Sequence, residues 1–370
     1  MNRRSTAFVV AFLTILACGS LFLYSILNCI IFEDPEILVG VEFLYTGDMS
    51  SFRRFVDKVR GYTNLVVLGL SKDMEIRYNV TLLNQACDYL YESGFRFIVQ
   101  LTAIVKFYYN ITDWVRMAMQ KYCDRFVGVY YFDEPGGRQL DDESSRFVTS
   151  AESHAEAAEK YVYLLYVHIE PYLRTGTRLL TADYGLYWFD YKAGYDVILA
   201  EFGWNQSREI QVALCRGAAK AYGKEWGVIV TWTYMNPPYL ASGETLYNDL
   251  ILAYHSGAKY LTIFEYDIMG EEHFEALQKF WNYVKRHPER HGIHQGEVVY
   301  ILPKDYGFGF RKGDDTIWGL WHENSGKIWN DVISLGAKYG NRLDIVYDEP
   351  DFMGKVRDQY SEIFLWNQQI

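Results

Sequence analysis

FVGVYYFDE, residues 126–134, is a β-rich run that turns acidic only at its far end. Phe, Val and Tyr suit the pleated, half-buried surface of a strand. The run is apolar on both alternating faces, as expected of a strand in a parallel sheet covered by helices. Asp133 and Glu134 then close it, ahead of Pro135 and two glycines. Burying an unpaired charge is costly, so two carboxylates ending an apolar strand need a structural or a chemical reason.

Seven other runs have the same character: 37–44 (ILVGVEFL), 64–70 (NLVVLGL), 95–102 (FRFIVQLT), 178–184 (RLLTADY), 197–204 (VILAEFGW), 227–234 (GVIVTWTY) and 260–267 (YLTIFEYD). Most begin about 30 residues after the one before, the spacing of a βα unit. The intervening segments carry helical periodicity. Phe52, Phe55, Val56 and Val59 follow i, i+3, i+4, i+7, with Gly61 as a stop. Thr112 is placed to cap a helix bearing Val115, Ala118, Met119 and Tyr122, and Phe274, Leu277, Trp281 and Val284 form a third stripe. Two connections depart from the pattern: a long loop over 135–143 after the fourth run, and a short link with room for one helical turn after the fifth. Eight such units predict an α/β fold, a (β/α)8 TIM barrel over residues 37–290. A doubly wound open sheet is the alternative. Its first turn would carry a glycine-rich phosphate loop, whereas residues 45–49 read YTGDM.

The flanks add two segments. Residues 7–32 are almost unbroken apolar sequence, longer than the roughly 20 residues that span a bilayer. Arg3 and Arg4 precede the run, and Glu33, Asp34 and Glu36 follow it. Positive charge stays on the cytoplasmic side, so 1–33 reads as a cytoplasmic tip and single-pass transmembrane signal-anchor, with the barrel extracellular at the cell membrane. A cleaved signal peptide, whose apolar region is normally about 7–15 residues, is the competing reading. ILAC at 15–18 faintly resembles a lipoprotein cleavage site, with Leu16 a poor fit. Sequons at Asn79, Asn110 and Asn205 agree weakly with an outside location. Residues 296–370 read as a small α/β module, with strands at 298–302, 343–347 and 362–366 and a helix at 328–339; no motif there ties it to chemistry. Cys87, Cys123 and Cys215 fall on predicted helices without metal-ligand spacing and are expected to be free thiols.

In such barrels the C-terminal strand ends carry the chemistry. Here they present Glu42, Gln100, Asp133 with Glu134, Asp183, Glu201, and Glu265 with Asp267. A crowded acidic cluster raises the pKa of at least one member and keeps a proton available for donation. Hydrolysis of a glycosidic bond needs that proton together with one ionised carboxylate. Tyr130, Trp204, Trp232 and Tyr234 accompany the acids, and Asn236 sits in the turn beyond the seventh run. Flat rings against sugar faces, with Asp, Asn and Glu gripping hydroxyls, would make a carbohydrate cleft.

On the YYFDEP run at 130–135, EFGW at 201–204 and TWTY at 231–234, the chain resembles the clan A (β/α)8 glycoside hydrolases over residues 37–290. The resemblance implies that Glu134 is the general acid/base, although clan members usually carry Asn where Asp133 stands. It also implies a nucleophilic Glu ending strand seven, where this chain has no carboxylate. Glu201, then Glu265, is expected to supply the second group. Glu42, Tyr130, Asp133, Asp183, Trp204, Trp232, Tyr234, Asn236 and Asp267 are expected to bind substrate or tune pKa values. No cofactor is implied. His154, His168, His255 and His273 lack metal-ligand spacing, so no metal site is predicted, though clustered carboxylates could hold Ca²⁺ or Mg²⁺. The net charge of −11 argues against nucleic acid as a partner. Three functions follow: a membrane-anchored extracellular glycoside hydrolase, a non-catalytic carbohydrate-binding or structural barrel, and a metal-dependent hydrolase of another polar substrate.

Overall fold

The computed structural model describes residues 37–70, 75–101, 106–313 and 317–369. Eight parallel strands close into a barrel in chain order: Leu38–Tyr45 (β1), Leu65–Leu70 (β2), Arg96–Leu101 (β3), Phe126–Tyr131 (β4), Leu179–Asp183 (β5), Val197–Phe202 (β6), Glu225–Val230 (β7) and Tyr260–Ile263 (β8). Closure comes from β8 pairing with β1, Tyr260 to Ile263 opposite Leu38 to Val41. The expected barrel is present. The strands nearest the acidic ends are shorter than the hydrophobic runs suggest: β4 stops at Tyr131, β7 at Val230 and β8 at Ile263.

Period-two alternation sorts the strand residues. Leu38, Leu65, Val67, Ile98, Tyr130, Leu180, Ala182, Val197, Leu199, Ile229 and Tyr260 fill the barrel. Their neighbours, such as Val39, Val66, Phe97 and Ile198, face the helices in a second core. Met49–Val59 (α1) buries the predicted stripe of Phe52, Phe55, Val56 and Val59. Val80–Glu92 (α2) and Ile111–Tyr122 (α3) follow β2 and β3. Asn110, not Thr112, caps α3; its side chain accepts from Asp113 N at 3.2 Å and from the Thr112 hydroxyl at 2.9 Å. Asn79 caps α2 in the same way, so two sequon asparagines have a helix-capping role.

The expected loop after β4 begins with a short helix, Pro135–Asp141 (α4), with Pro at the first turn, where its missing N–H costs nothing. His154–Leu173 (α5) follows, and Tyr187–Ala193 (α6) occupies the short link after β5. Arg208–Tyr222 (α7), Gly243–His255 (α8) and Glu271–Arg286 (α9) complete the ring. Cys87 and Cys215 are buried free thiols, whereas Cys123 is disulfide-bonded. Among the described residues no helix is long and apolar enough to cross a membrane; the anchor read over 1–33 lies outside them.

The tail forms a parallel three-stranded sheet in the order Leu343–Tyr347 (β10), Val298–Leu302 (β9), Glu362–Leu365 (β11), with helices Ser325–Tyr339 (α10) and Pro350–Gln359 (α11). It packs on the barrel through α7. A Cβ on Gly217 would stand 2.6 Å from the Ile345 carbonyl, so only glycine allows this approach. Beside it, buried Arg216 donates to Asp344 Oδ1 at 2.7 Å and to the carbonyls of His294, Asn341 and Leu343. Asp344 also accepts from Lys220 at 2.8 Å and Tyr360 at 2.9 Å. Removing one partner of a buried pair strands the other charge, at a cost of about 3–5 kcal/mol. Arg216→Ala should lower unfolding free energy by that amount in urea titration; a loss below about 1 kcal/mol would show that this junction does not hold the sheet to the barrel.

Candidate active site

The inward position nearest the C-terminal end of each strand defines the mouth. On β1 it is Glu42, buried, with Oε1 directed at Gly69 of β2. A Cβ at Gly69 would lie 2.8 Å from that oxygen and 3.2 Å from Gln100 Oε1, so the glycine makes room for the carboxyl. Glu42 Oε2 is buried with no hydrogen-bond partner. On β4, Tyr130 reaches up to donate its hydroxyl to Asp133. On β6, the inward set Val197, Leu199, Glu201 delivers Glu201 into the same space. There it meets Glu134: the two side chains share a hydrogen bond. A cavity of about 220 Å³ is lined by Gln100, Tyr130, Asp133, Glu134, Glu201, Trp204, Ile229, Thr231, Trp232 and Phe264.

Turns after the strands aim these groups. Phe132, Glu134, Leu186, Trp204 and Tyr239 all have φ between 48° and 63°. Non-glycine residues rarely adopt the left-handed region, and they collect where function demands a side-chain direction. Glu134 is tied by its N–H to the Ala182 carbonyl at 3.0 Å. Trp204, 39% exposed, is tied to the Trp232 carbonyl at 2.7 Å. Trp232 stacks on Tyr239 with centroids 5.1 Å apart.

Burial dominates the electrostatics. It raises Glu42 and Glu201 well above the usual carboxylate range, with Asp133 and Glu265 adding to the effect at Glu42 and Glu134 and Asp133 adding to it at Glu201. Burial also raises Glu134 and Asp133, and the charge of Asp133 raises Glu134 further; against this, the hydrogen bond from Glu201 and then Arg138 favour the Glu134 carboxylate, and the Tyr130 hydroxyl and then Arg138 favour that of Asp133. The two glutamates act on each other, so the pair as a whole is held above the ordinary carboxylate range.

Several expected site residues are placed elsewhere. Asp183 faces the helix layer, because Leu180 and Ala182 are the inward residues of β5. Its oxygens accept from the N–H groups of Gly136 (2.5 Å), Gly137 (2.8 Å), Tyr184 (2.7 Å) and Gly185 (3.1 Å). It also shares a hydrogen bond with Asp190, which accepts from the Tyr161 hydroxyl at 2.7 Å. Asp183 thus positions the turn that presents Glu134 and does not line the cavity. Glu265 stands half-buried beyond the end of β8, near Glu42 and outside the cavity lining. Asp267 is exposed. Tyr234 and Asn236 lie on an exposed loop that, with Trp204, borders an open hollow next to the cavity. Thr231, Ile229 and Phe264 line the cavity without having been singled out in the sequence. Period-two counting back from Thr231 through Ile229 to Gly227 would have found the first two.

Asp183 supplies a direct test. Burial pushes it up to about 7, against the pull of the surrounding N–H groups. A carboxyl whose pKa is higher folded than unfolded, where Asp sits near about 3.9, gives stability that is full below the unfolded value and lost as pH rises through the folded one. Melting temperature should therefore fall between about pH 4 and 7. Asp183→Asn should flatten that slope; an unchanged slope would contradict this placement of Asp183.

No family model matches the chain, and no curated protein matches it. Solved structures do. The catalytic module of a family 98 glycoside hydrolase from Streptococcus pneumoniae TIGR4 superposes with a TM-score of 0.51 at 12% identity, covering 90% of this chain and 66% of that one. α-L-Fucosidase isoenzyme 2 from Paenibacillus thiaminolyticus superposes with a TM-score of 0.51 at 9% identity, covering 89% and 59%. The chain thus spans about two thirds of the length of these proteins or less. At such identities the likeness is one of architecture: the chain carries the closed (β/α)8 fold found in these glycoside hydrolases.

Proposed function

We propose that this chain is a glycoside hydrolase acting through Glu134 and Glu201, with its barrel held on the outer side of a cell membrane by residues 7–32. The observation that carries the reading is the hydrogen-bonded carboxyl pair inside an aromatic-lined cavity. Two carboxyls sharing a site hold one proton between them. That state supplies both groups that glycosidic cleavage uses, an acid for the departing oxygen and a carboxylate for the anomeric carbon or its attacking water. The clan A resemblance gives Glu134 the acid/base role, and Glu201 is then the second carboxyl of the pair.

A retaining pair stands roughly 5–5.5 Å apart, and a sugar entering between Glu134 and Glu201 has to part their hydrogen bond. Tyr130, through Asp133, and Gln100 hold polar atoms at the floor. Trp204, Trp232 and Phe264 offer ring faces. A second reading, carbohydrate binding without cleavage, is favoured by one observation: the inward residue beyond β7 is Thr231, where the clan A resemblance calls for a carboxylate.

Glu134→Gln and Glu201→Gln should each lower kcat on aryl glycosides by about 10²–10⁴-fold while retaining sugar binding by calorimetry. The pH profile of kcat/KM should be a bell: activity is lost at low pH as the Glu134–Glu201 pair takes up its second proton and at high pH as it loses the first. Burial raises both groups, so both limbs should lie above the ordinary carboxylate range. Wild-type protein that binds glycans but cleaves none of a broad glycoside panel would establish the second reading instead.

A further inference from the structure

A larger hollow of about 570 Å³ adjoins the cavity, with Trp204 lining both. One wall belongs to the barrel: Tyr184, Trp204, the Asn205-Gln206-Ser207 turn and Asp141. The other belongs to the C-terminal module: Phe310, Arg311, Trp329 and Ile333. The two sides are fastened at the rim. Arg311 donates to both oxygens of Asp141 at 2.8 and 2.9 Å, and the Tyr184 hydroxyl donates to Oδ2 of the same carboxylate at 2.9 Å. Asp141 ends α4, the helix that begins immediately after Glu134. The module is therefore connected through one short helix to the turn that presents a catalytic carboxylate.

The lining has the mixed character of a sugar site. Trp204 and Trp329 line the two walls, with the Asn205 and Gln206 amides beside them; the Ser207 hydroxyl is taken up by Glu209 and the Ile210 N–H. Flat apolar faces beside hydrogen-bonding groups match a pyranose, which has both. Arg311 and Asp141, charged groups of the lining, neutralise each other.

We propose that this hollow is a second sugar subsite, built jointly by barrel and module, so that the preferred substrate is an oligosaccharide with one unit in the carboxyl cavity and its neighbour between Trp204 and Trp329. The inference rests on the hydrolase reading above. It makes the module part of the cleft, and it makes Trp204 the divider between adjoining units.

The test uses the full chain, produced in a host that does not N-glycosylate, because Asn205 opens a sequon inside this hollow. The measured quantity is kcat/KM for an oligosaccharide divided by kcat/KM for an aryl monoglycoside of the same sugar. Trp329→Ala should lower that ratio about three- to tenfold, with the loss chiefly in KM. Trp329→Tyr, which keeps a ring, should recover most of it. Arg311→Ala should lower the ratio as well, with the unfolding transition of each variant recorded as a folding check. A ratio unaltered in Trp329→Ala and Arg311→Ala, while the wild type is active, would overturn the subsite and leave the hydrolase reading standing. If the wild type only binds glycans, the same comparison is made on binding constants for the oligosaccharide and the monosaccharide, and equal weakening of both overturns the subsite. A wild type that neither cleaves nor binds any glycan removes both proposals together.

Discussion

A carboxyl group drawn into the mouth of a barrel loses its water, and unless a cation replaces that water the group keeps its proton. This constraint governs the C-terminal face here. Glu42, Asp133, Glu134 and Glu201 crowd together, and Arg138 is the cation that bears on Asp133 and Glu134. The opposite end of the barrel shows the alternative solution. There Glu225 is held by Lys259 at 2.7 Å, by Arg178 at 3.4 Å and by the Tyr260 hydroxyl at 2.8 Å, and its pKa is lowered. Both ends carry acids, buried at the mouth in Glu42 and Glu201 and part-exposed in Glu225. One neutralises them with cations and serves stability; the other leaves them to share protons, which costs stability and creates acid–base capacity.

The mouth exists because the backbone is bent to serve it. Asp183 is bound by four N–H groups around the start of α4, and this cradle fixes the turn from which Glu134 projects. Gly69 makes space for Glu42. Left-handed conformations at Phe132, Glu134 and Trp204 direct the side chains that follow β4 and β6. Each device is local, but together they depend on the closed barrel, because the groups they bring together come from strands far apart in sequence.

Much of this was legible in the residues. Eight β-rich runs alternating with amphipathic stripes specify the barrel, and period-two counting put Glu42 in phase with Leu38 and Glu201 in phase with Val197 and Leu199, the faces that line the barrel. The same counting failed on β5. On β5 Leu179, Thr181 and Asp183 share one face and Leu180 and Ala182 the other; the apolar pair is the one that lines the barrel, so a polar residue ending the strand did not mark the inner face there. β7 and β8 ended early for a related reason: Trp232, Tyr234 and Phe264 keep the strand-like composition while the chain has already turned into loop. The module gave no sign of its place beside the cleft. Arg311 and Trp329 are ordinary in sequence and become informative only when Asp141 and Trp204 are set against them.

The claim on which all else rests is that Glu134 and Glu201 hold one proton between them. Carbon-13 titration of glutamate side-chain carboxyls in the intact protein, with each resonance assigned by single Glu→Gln replacement, measures this directly. Glu201 should remain protonated well above the ordinary range for glutamate, and its transition should move down when Glu134 is replaced. Independent titration of both groups near about 4.3, each unaffected by removal of the other, would contradict the claim.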